Sequence, residues 1–127
     1  MRLLLDTHSF LWWVADEKEL GPNARRAISD PGSIVFVSAA SAWEIAIKRG
    51  KGTLEAPGDI RAWIAENAFV EMAIDVGHGI AAGALPVHHR DPFDRVLVAQ
   101  AQIEGVSLVT ADVVLAKYDV AILPAGE

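Results

Sequence analysis

Five short apolar runs, separated by segments with helical spacing, set the tightest limit on what this 127-residue chain can fold into. Leu3 to Leu5, Ile34 to Val37, Val70 to Ile74, Val106 to Val109 and Ala121 to Leu123 are almost continuously apolar. A strand with one wet face alternates apolar and polar residues, whereas a strand covered on both faces of a parallel sheet does not. Helix signals fill the gaps. Pro22 opens a short helix through Arg25, Arg26 and Ile28, and Ser41 caps a helix that runs to Arg49 with Gly50 after it. Asp59 to Asn67 carries Ile60, Trp63 and Ile64 at helical spacing, and Val76 to Leu85 is stopped by Pro86. Asp91-Pro92 starts a last helix that ends at Gly105. Proline at the first helical position and glycine past the last is the asymmetry helices favour. Strands alternating with helices predict an α/β fold with a mostly parallel sheet. In such sheets ligands bind outside the carboxyl ends of the strands, where Asp6 and Asp112 fall. No repeat, low-complexity tract or linker divides the chain, so residues 1–127 read as a single domain.

Composition removes several classes of function. Apolar residues make up 52% and charged residues 22%, too apolar for a disordered chain. No stretch free of charge reaches the roughly 18 apolar residues a membrane-spanning helix needs. Asp6 interrupts the N-terminal apolar run too early for a signal peptide, so a soluble cytoplasmic protein is expected. The absence of cysteine excludes disulfide scaffolds, thiolate metal sites and cysteine nucleophiles. A formal net charge of −6 argues against nucleic-acid binding by a basic surface alone. It leaves open a nucleic-acid enzyme built on metal ions, because a bound cation inverts the local charge logic.

Four segments place a carboxylate where it can enter one crevice: Asp6, Glu44, the pair Asp91 and Asp94, and Asp112. Hard cations such as Mg²⁺ are held by few carboxylates plus water, so such a cluster suits phosphoryl chemistry. Each acid also has a plain structural reading. Asp6 can form a turn, although burying its charge is costly without a partner. Glu44 stands three residues after Ser41, the spacing of a capping box, and four before Lys48, the spacing of a helical ion pair. Asp91 before Pro92 reads as an N-cap, Asp94 can complement the helix dipole, and Asp112 can cap Val113 to Tyr118. Thr7 and Thr110 either orient carboxylates or close turns. Like charges gathered in one crevice should raise the pKa of at least one of them.

Taken together, Leu4-Leu5-Asp6-Thr7-His8 with Leu11-Trp12, Ser41-Ala42-Trp43-Glu44-Ile45-Ala46-Ile47-Lys48, His89-Arg90-Asp91-Pro92-Phe93-Asp94-Arg95 with Ala99-Gln100-Ala101, and Val109-Thr110-Ala111-Asp112 resemble the PIN-domain proteins. The resemblance is to the VapC toxin type of prokaryotic toxin–antitoxin pairs. It spans nearly the whole chain in the right order. It implies a PIN-like fold, a central parallel sheet flanked by helices, and a metal-dependent endoribonuclease acting on RNA. It implies Mg²⁺ or Mn²⁺ as cofactor, held by Asp6, Asp94 and Asp112, with Glu44 on a second ion or acting through water. Asp94 matches the third acidic position because Arg95-Val96-Leu97-Val98-Ala99 follows it, and Asp91 is the competing candidate. It also implies a cognate VapB-like antitoxin. The apolar content adds the expectation of a homodimer, with Trp12, Trp13 or Trp63 at a subunit or antitoxin interface.

Two other classes fit parts of the pattern. A phosphoryl-transfer enzyme of another kind would want a second Asp two residues after a nucleophilic Asp, but Thr7 and His8 follow Asp6. A non-catalytic module would use the acidic pocket to bind a basic partner. Among the histidines, His88-His89 reads either as an exposed loop pair or as a contact to phosphate. Lys48, Arg49 and Lys51 suit phosphates or the end of their own helix equally.

Overall fold

The computed structural model describes residues 1–56 and 58–127. Its sheet has five parallel strands, β1 (Arg2–Leu5), β2 (Ile34–Ser38), β3 (Val70–Met72), β4 (Ser107–Thr110) and β5 (Ile122–Pro124), in the order β3-β2-β1-β4-β5. Six helices connect them: α1 (Thr7–Val14), α2 (Pro22–Ser29), α3 (Ala39–Gly50), α4 (Ile60–Glu66), α5 (Val76–Ala84) and α6 (Pro92–Glu104). A 3₁₀ turn, Val113–Lys117, links β4 to β5.

The continuous apolar runs have the expected cause. Leu3, Leu4 and Leu5 are all fully buried, because successive side chains of β1 enter opposite cores. Leu3 and Leu5 join Phe10, Ile28, Val35, Val37, Ile45, Ile64 and Val109 on one face. Leu4 joins Leu97, Val98, Leu108, Leu115 and Tyr118 on the other. The sheet grows from β1 through β2 to β3, and the chain then returns to lay β4 on the far side of β1. The direction of winding therefore reverses between β1 and β4. There the strand ends splay their connections apart and leave a crevice.

Local differences from the sequence reading have clear origins. α1 was not among the expected helices. Apart from His8 and two small hydroxyl residues its sequence is apolar on every side, so no amphipathic period marks it. α3 begins at Ala39, two residues before Ser41: Ser38 ends β2 and caps the helix, its Oγ accepting the Ala40 N–H at 3.0 Å. The capping-box reading of Ser41 and Glu44 is thereby overturned. β3 stops at Met72, short of Ile74, and Asp75 then caps α5. Strands β4 and β5 sit one residue later than their apolar runs. Trp12, Trp13 and Trp63 lie half-buried against the core, and Trp43 is the exposed tryptophan, at 60%. Among the described residues no helix is long and apolar enough to cross a membrane.

Candidate metal centre

Each acidic residue of interest is placed by the start of an element. The Asp6 N–H donates to Val109 O at 3.0 Å, tying the carboxyl end of β1 to that of β4. Its Oδ1 then accepts the Ser9 N–H at 2.8 Å and caps α1. Glu44 reaches the same end of the sheet from the second turn of α3. Thr7 Oγ1 donates to Glu44 Oε1 at 2.6 Å and lies 3.1 Å from Ser41 Oγ, while Lys48 Nζ pairs with Glu44 Oε2 at 2.7 Å. Asp6 and Glu44 are each only 5% exposed, so both charges depend on these partners. The bond to Glu44 raises the Lys48 pKa above the usual lysine value, with Glu44, Asp91 and Asp94 adding their charge. Of the two readings of Glu44 from spacing, the pair with Lys48 is the one that forms.

Asp91 and Asp94 divide their labour at the start of α6. Asp91 Oδ1 accepts the N–H groups of Phe93 at 2.8 Å and Asp94 at 3.3 Å, as an N-cap does. Asp94 lies in the first turn and is half-buried. Burial pushes its carboxyl up to about 7. The charges of Asp91, Asp6 and Glu44 push in the same direction, and His89 partly opposes them. Crowding of like charge, the expected cause, is present but secondary to burial. The shift also shows that Asp6, Glu44, Asp91 and Asp94 share one electrostatic environment. Asp112 follows β4, where Thr110 Oγ1 accepts its N–H at 3.0 Å and its own Oδ1 caps the 3₁₀ turn through Val114 N–H at 2.9 Å.

His89 is the site residue that sequence reasoning missed. It is half-buried rather than an exposed loop residue. Its Nδ1 accepts the Asp91 N–H at 3.0 Å, so Nε2 carries the ring proton. Nε2 lies 2.9 Å from Asp112 Oδ2 and 3.4 Å from Asp94 Oδ2. One atom from each of His89, Asp94 and Asp112 lies within 4.8 Å of the others. Asp6 and Glu44 stand outside this tight group. The sequence held one signal for His89: a ring two residues before an Asp-Pro cap can accept the cap's own N–H. The loop carrying it is anchored firmly. Arg95 donates to the carbonyls of Ala82, Leu85, Pro86 and His89 at 2.8–3.2 Å, and the His89 N–H donates to Tyr118 Oη at 2.9 Å.

A second group, Asp75, His78 and Glu104, has a structural explanation. His78 Nδ1 accepts the Asp75 N–H at 3.0 Å to close a capping box, and Nε2 lies 2.9 Å from Glu104 Oε1. The ring thus fastens α5 to α6 with both nitrogens engaged.

The crevice between β1 and β4 suits a hard divalent cation. Its donors are carboxylate oxygens, the class that Mg²⁺ and Mn²⁺ prefer. Burial first, and the neighbouring carboxylates after it, disfavour the charged form of Asp94 there.

Comparison with known proteins gives the same picture. The family model for the PIN domain matches residues 3–121. Ribonuclease VapC22 of Mycobacterium tuberculosis is 28% identical over 113 residues, covering 87% of this chain and 86% of that protein. A chain of VapBC2 from Rickettsia felis, solved bound to a DNA fragment from their promoter, superposes with a TM-score of 0.68 at 12% identity. That superposition covers 97% of this chain and 98% of the other, and at such low identity it speaks for the fold alone. A five-stranded parallel sheet, an acidic crevice at its winding reversal and a family match from the first strand to the edge of the last place this chain in the PIN-domain family.

Proposed function

We propose that residues 1–127 act as one PIN domain, a Mg²⁺- or Mn²⁺-dependent endoribonuclease that is the toxin of a toxin–antitoxin pair in the cytoplasm. The observation that carries this reading is the acidic crevice at the β1/β4 reversal, where Asp6, Glu44 and Asp91 crowd Asp94 and burial pushes its carboxyl up to about 7. Similarity to Ribonuclease VapC22 supports RNA as substrate. Fold likeness to a chain of VapBC2 is consistent with a small antitoxin as partner.

Asp6, Asp94 and Asp112 would hold the ion. Asp91 caps α6 with one carboxylate oxygen, as Asp6 and Asp112 cap their own elements, and is the competing candidate for the third acidic position. A bound divalent ion would supply charge neutralisation at the scissile phosphate and help activate water. Glu44 would either bind a second ion or position and deprotonate the attacking water. Thr7 fixes its carboxylate from one side and Lys48 from the other. Attack in line on phosphorus breaks the bond to the 3′ oxygen, leaving a 5′-phosphate and a 3′-hydroxyl. The exposed apolar side chains Val76 and Ile80 of α5 support a homodimer. An antitoxin Arg reaching the crevice would pair with the carboxylates and displace the ion.

Two experiments test the reading. Asp94→Asn should abolish metal-dependent cleavage of labelled RNA while Asp91→Asn retains it; the reverse pattern would exchange their roles. Expression alone should be toxic to the host, and co-expression with an adjacent small open reading frame should yield an inactive complex of a dimer with that product. A harmless monomer that co-purifies with nothing would end the toxin reading.

A further inference from the structure

We propose that His89 is a positioning residue: it draws Asp94 and Asp112 to one point from two separate elements, and so builds the ion site before any ion arrives. This rests on the metal-centre reading above and extends it to a residue outside the acidic set. Asp94 rides on α6 and Asp112 on the turn after β4, where the Val114 N–H holds Asp112 Oδ1; the His89 ring is what touches both carboxylates across the two elements. The imidazole stands between them: Nε2 hydrogen-bonds Asp112 Oδ2 at 2.9 Å and lies 3.4 Å from Asp94 Oδ2.

The geometry also says that His89 is not itself a ligand. Nδ1 is occupied by the Asp91 N–H at 3.0 Å, which leaves the proton on Nε2, so that nitrogen offers a donor rather than a lone pair. A carboxylate oxygen has room for both a hydrogen bond and a cation, so Asp112 can keep the His89 bond while it binds an ion. The ring is held in turn by its loop. Arg95 binds the His89 carbonyl together with three carbonyls at and after the end of α5, and Tyr118 Oη takes the His89 N–H. The bridge is therefore set by packing of α5, α6 and the 3₁₀ turn, and the carboxylates are ordered in advance. Preordering of this kind by a residue behind the ligands raises metal affinity.

Two substitutions separate the two halves of the ring. Asn at position 89 can keep the acceptor for the Asp91 N–H but loses the distal donor. Gln places an amide N–H near the Nε2 position. Mn²⁺ binding by the full chain, followed by calorimetry and by the Mn²⁺ paramagnetic signal, reads the difference without reference to activity. His89→Asn should bind Mn²⁺ about 10- to 100-fold more weakly, and His89→Gln should recover to within about 3-fold of the wild type. Metal-free melting temperatures should stay close to the wild type in both. Unchanged affinity in His89→Asn overturns the proposal. So does a loss in His89→Gln equal to that in His89→Asn, which would mark a role in folding only. If His89→Asn fails to fold, His89→Gln decides alone, and a loss of about 10-fold or more there overturns it. A wild type that binds Mn²⁺ yet cleaves no RNA would defeat the nuclease reading and leave the role of His89 to the two variants; a wild type that binds no Mn²⁺ defeats both.

Discussion

Asp94 shows how one side chain can be strained in the folded protein and useful for that reason. Its carboxyl titrates at about 7 when folded, against an ordinary 3.8. The folded state therefore holds a proton there that the unfolded chain has released. For a group raised in this way, the stabilising contribution is complete below the unfolded pKa and disappears as pH rises through the folded one. Metal-free stability should accordingly fall between about pH 4 and pH 7. In Asp94→Asn that part of the slope should vanish, and above pH 7 the metal-free variant should melt about 2–5 °C higher than the wild type. Mn²⁺ competes with the same proton, so wild-type affinity should rise with pH up to about 7 and level off beyond it. Thermal melts across pH, with and without Mn²⁺, check both statements. The acids were singled out by the motifs around them and not by position, since Asp59 and Asp75 also cap helices, α4 and α5. Their division of labour was not legible: Asp91 and Asp94 share a helix start, and only the hydrogen bonds from Phe93 and Asp94 commit Asp91 to the cap.

At the scale of elements, β1 was legible in the sequence because its short leucine run, one of five such runs alternating with helical segments, fits a strand covered on both faces. α1 was hidden because burial on most sides erases the helical period, and the start of α3 was misplaced because a Ser-x-x-Glu spacing occurs without being a capping box. What decided α3 was Ser38, the last residue of β2, which turns strand into helix with no intervening loop. α2 shows a contact no local pattern announces. Gly21, its N-cap, has no side chain to satisfy the helix, and the Glu127 carbonyl accepts the N–H groups of Asn23 and Ala24 instead. A Cβ at position 21 would stand 2.5 Å from the Glu127 backbone carbon. Gly21→Ala should therefore destabilise the protein by about 1–3 kcal/mol, read by chemical denaturation, through displacement of that segment. α3 also carries Trp43, exposed and edge-on to Phe93 at 5.1 Å, beside the residues that bear Glu44 and Asp94. As a stacking surface for a substrate base it should contribute about 1–3 kcal/mol, so Trp43→Ala should raise KM for RNA with little change in kcat.

The whole molecule explains why an acidic protein can still be read as acting on an anionic polymer. Strand order places the carboxyl ends of β1 and β4 side by side, and helices packed on both faces bring α3 and α6 to the same end. Asp6, Glu44 and the pair Asp91 and Asp94, from three stretches of chain, thus share one field that would favour a divalent cation. The most direct test incubates the protein with single-stranded RNA, with and without Mn²⁺, and determines the chemistry of the new ends. The wild type should cut only with the metal, leaving 5′-phosphate and 3′-hydroxyl ends, and Asp6→Asn should leave the RNA intact. Cleavage in chelator that leaves a 2′,3′-cyclic phosphate, or full metal-dependent activity in Asp6→Asn, would contradict the account.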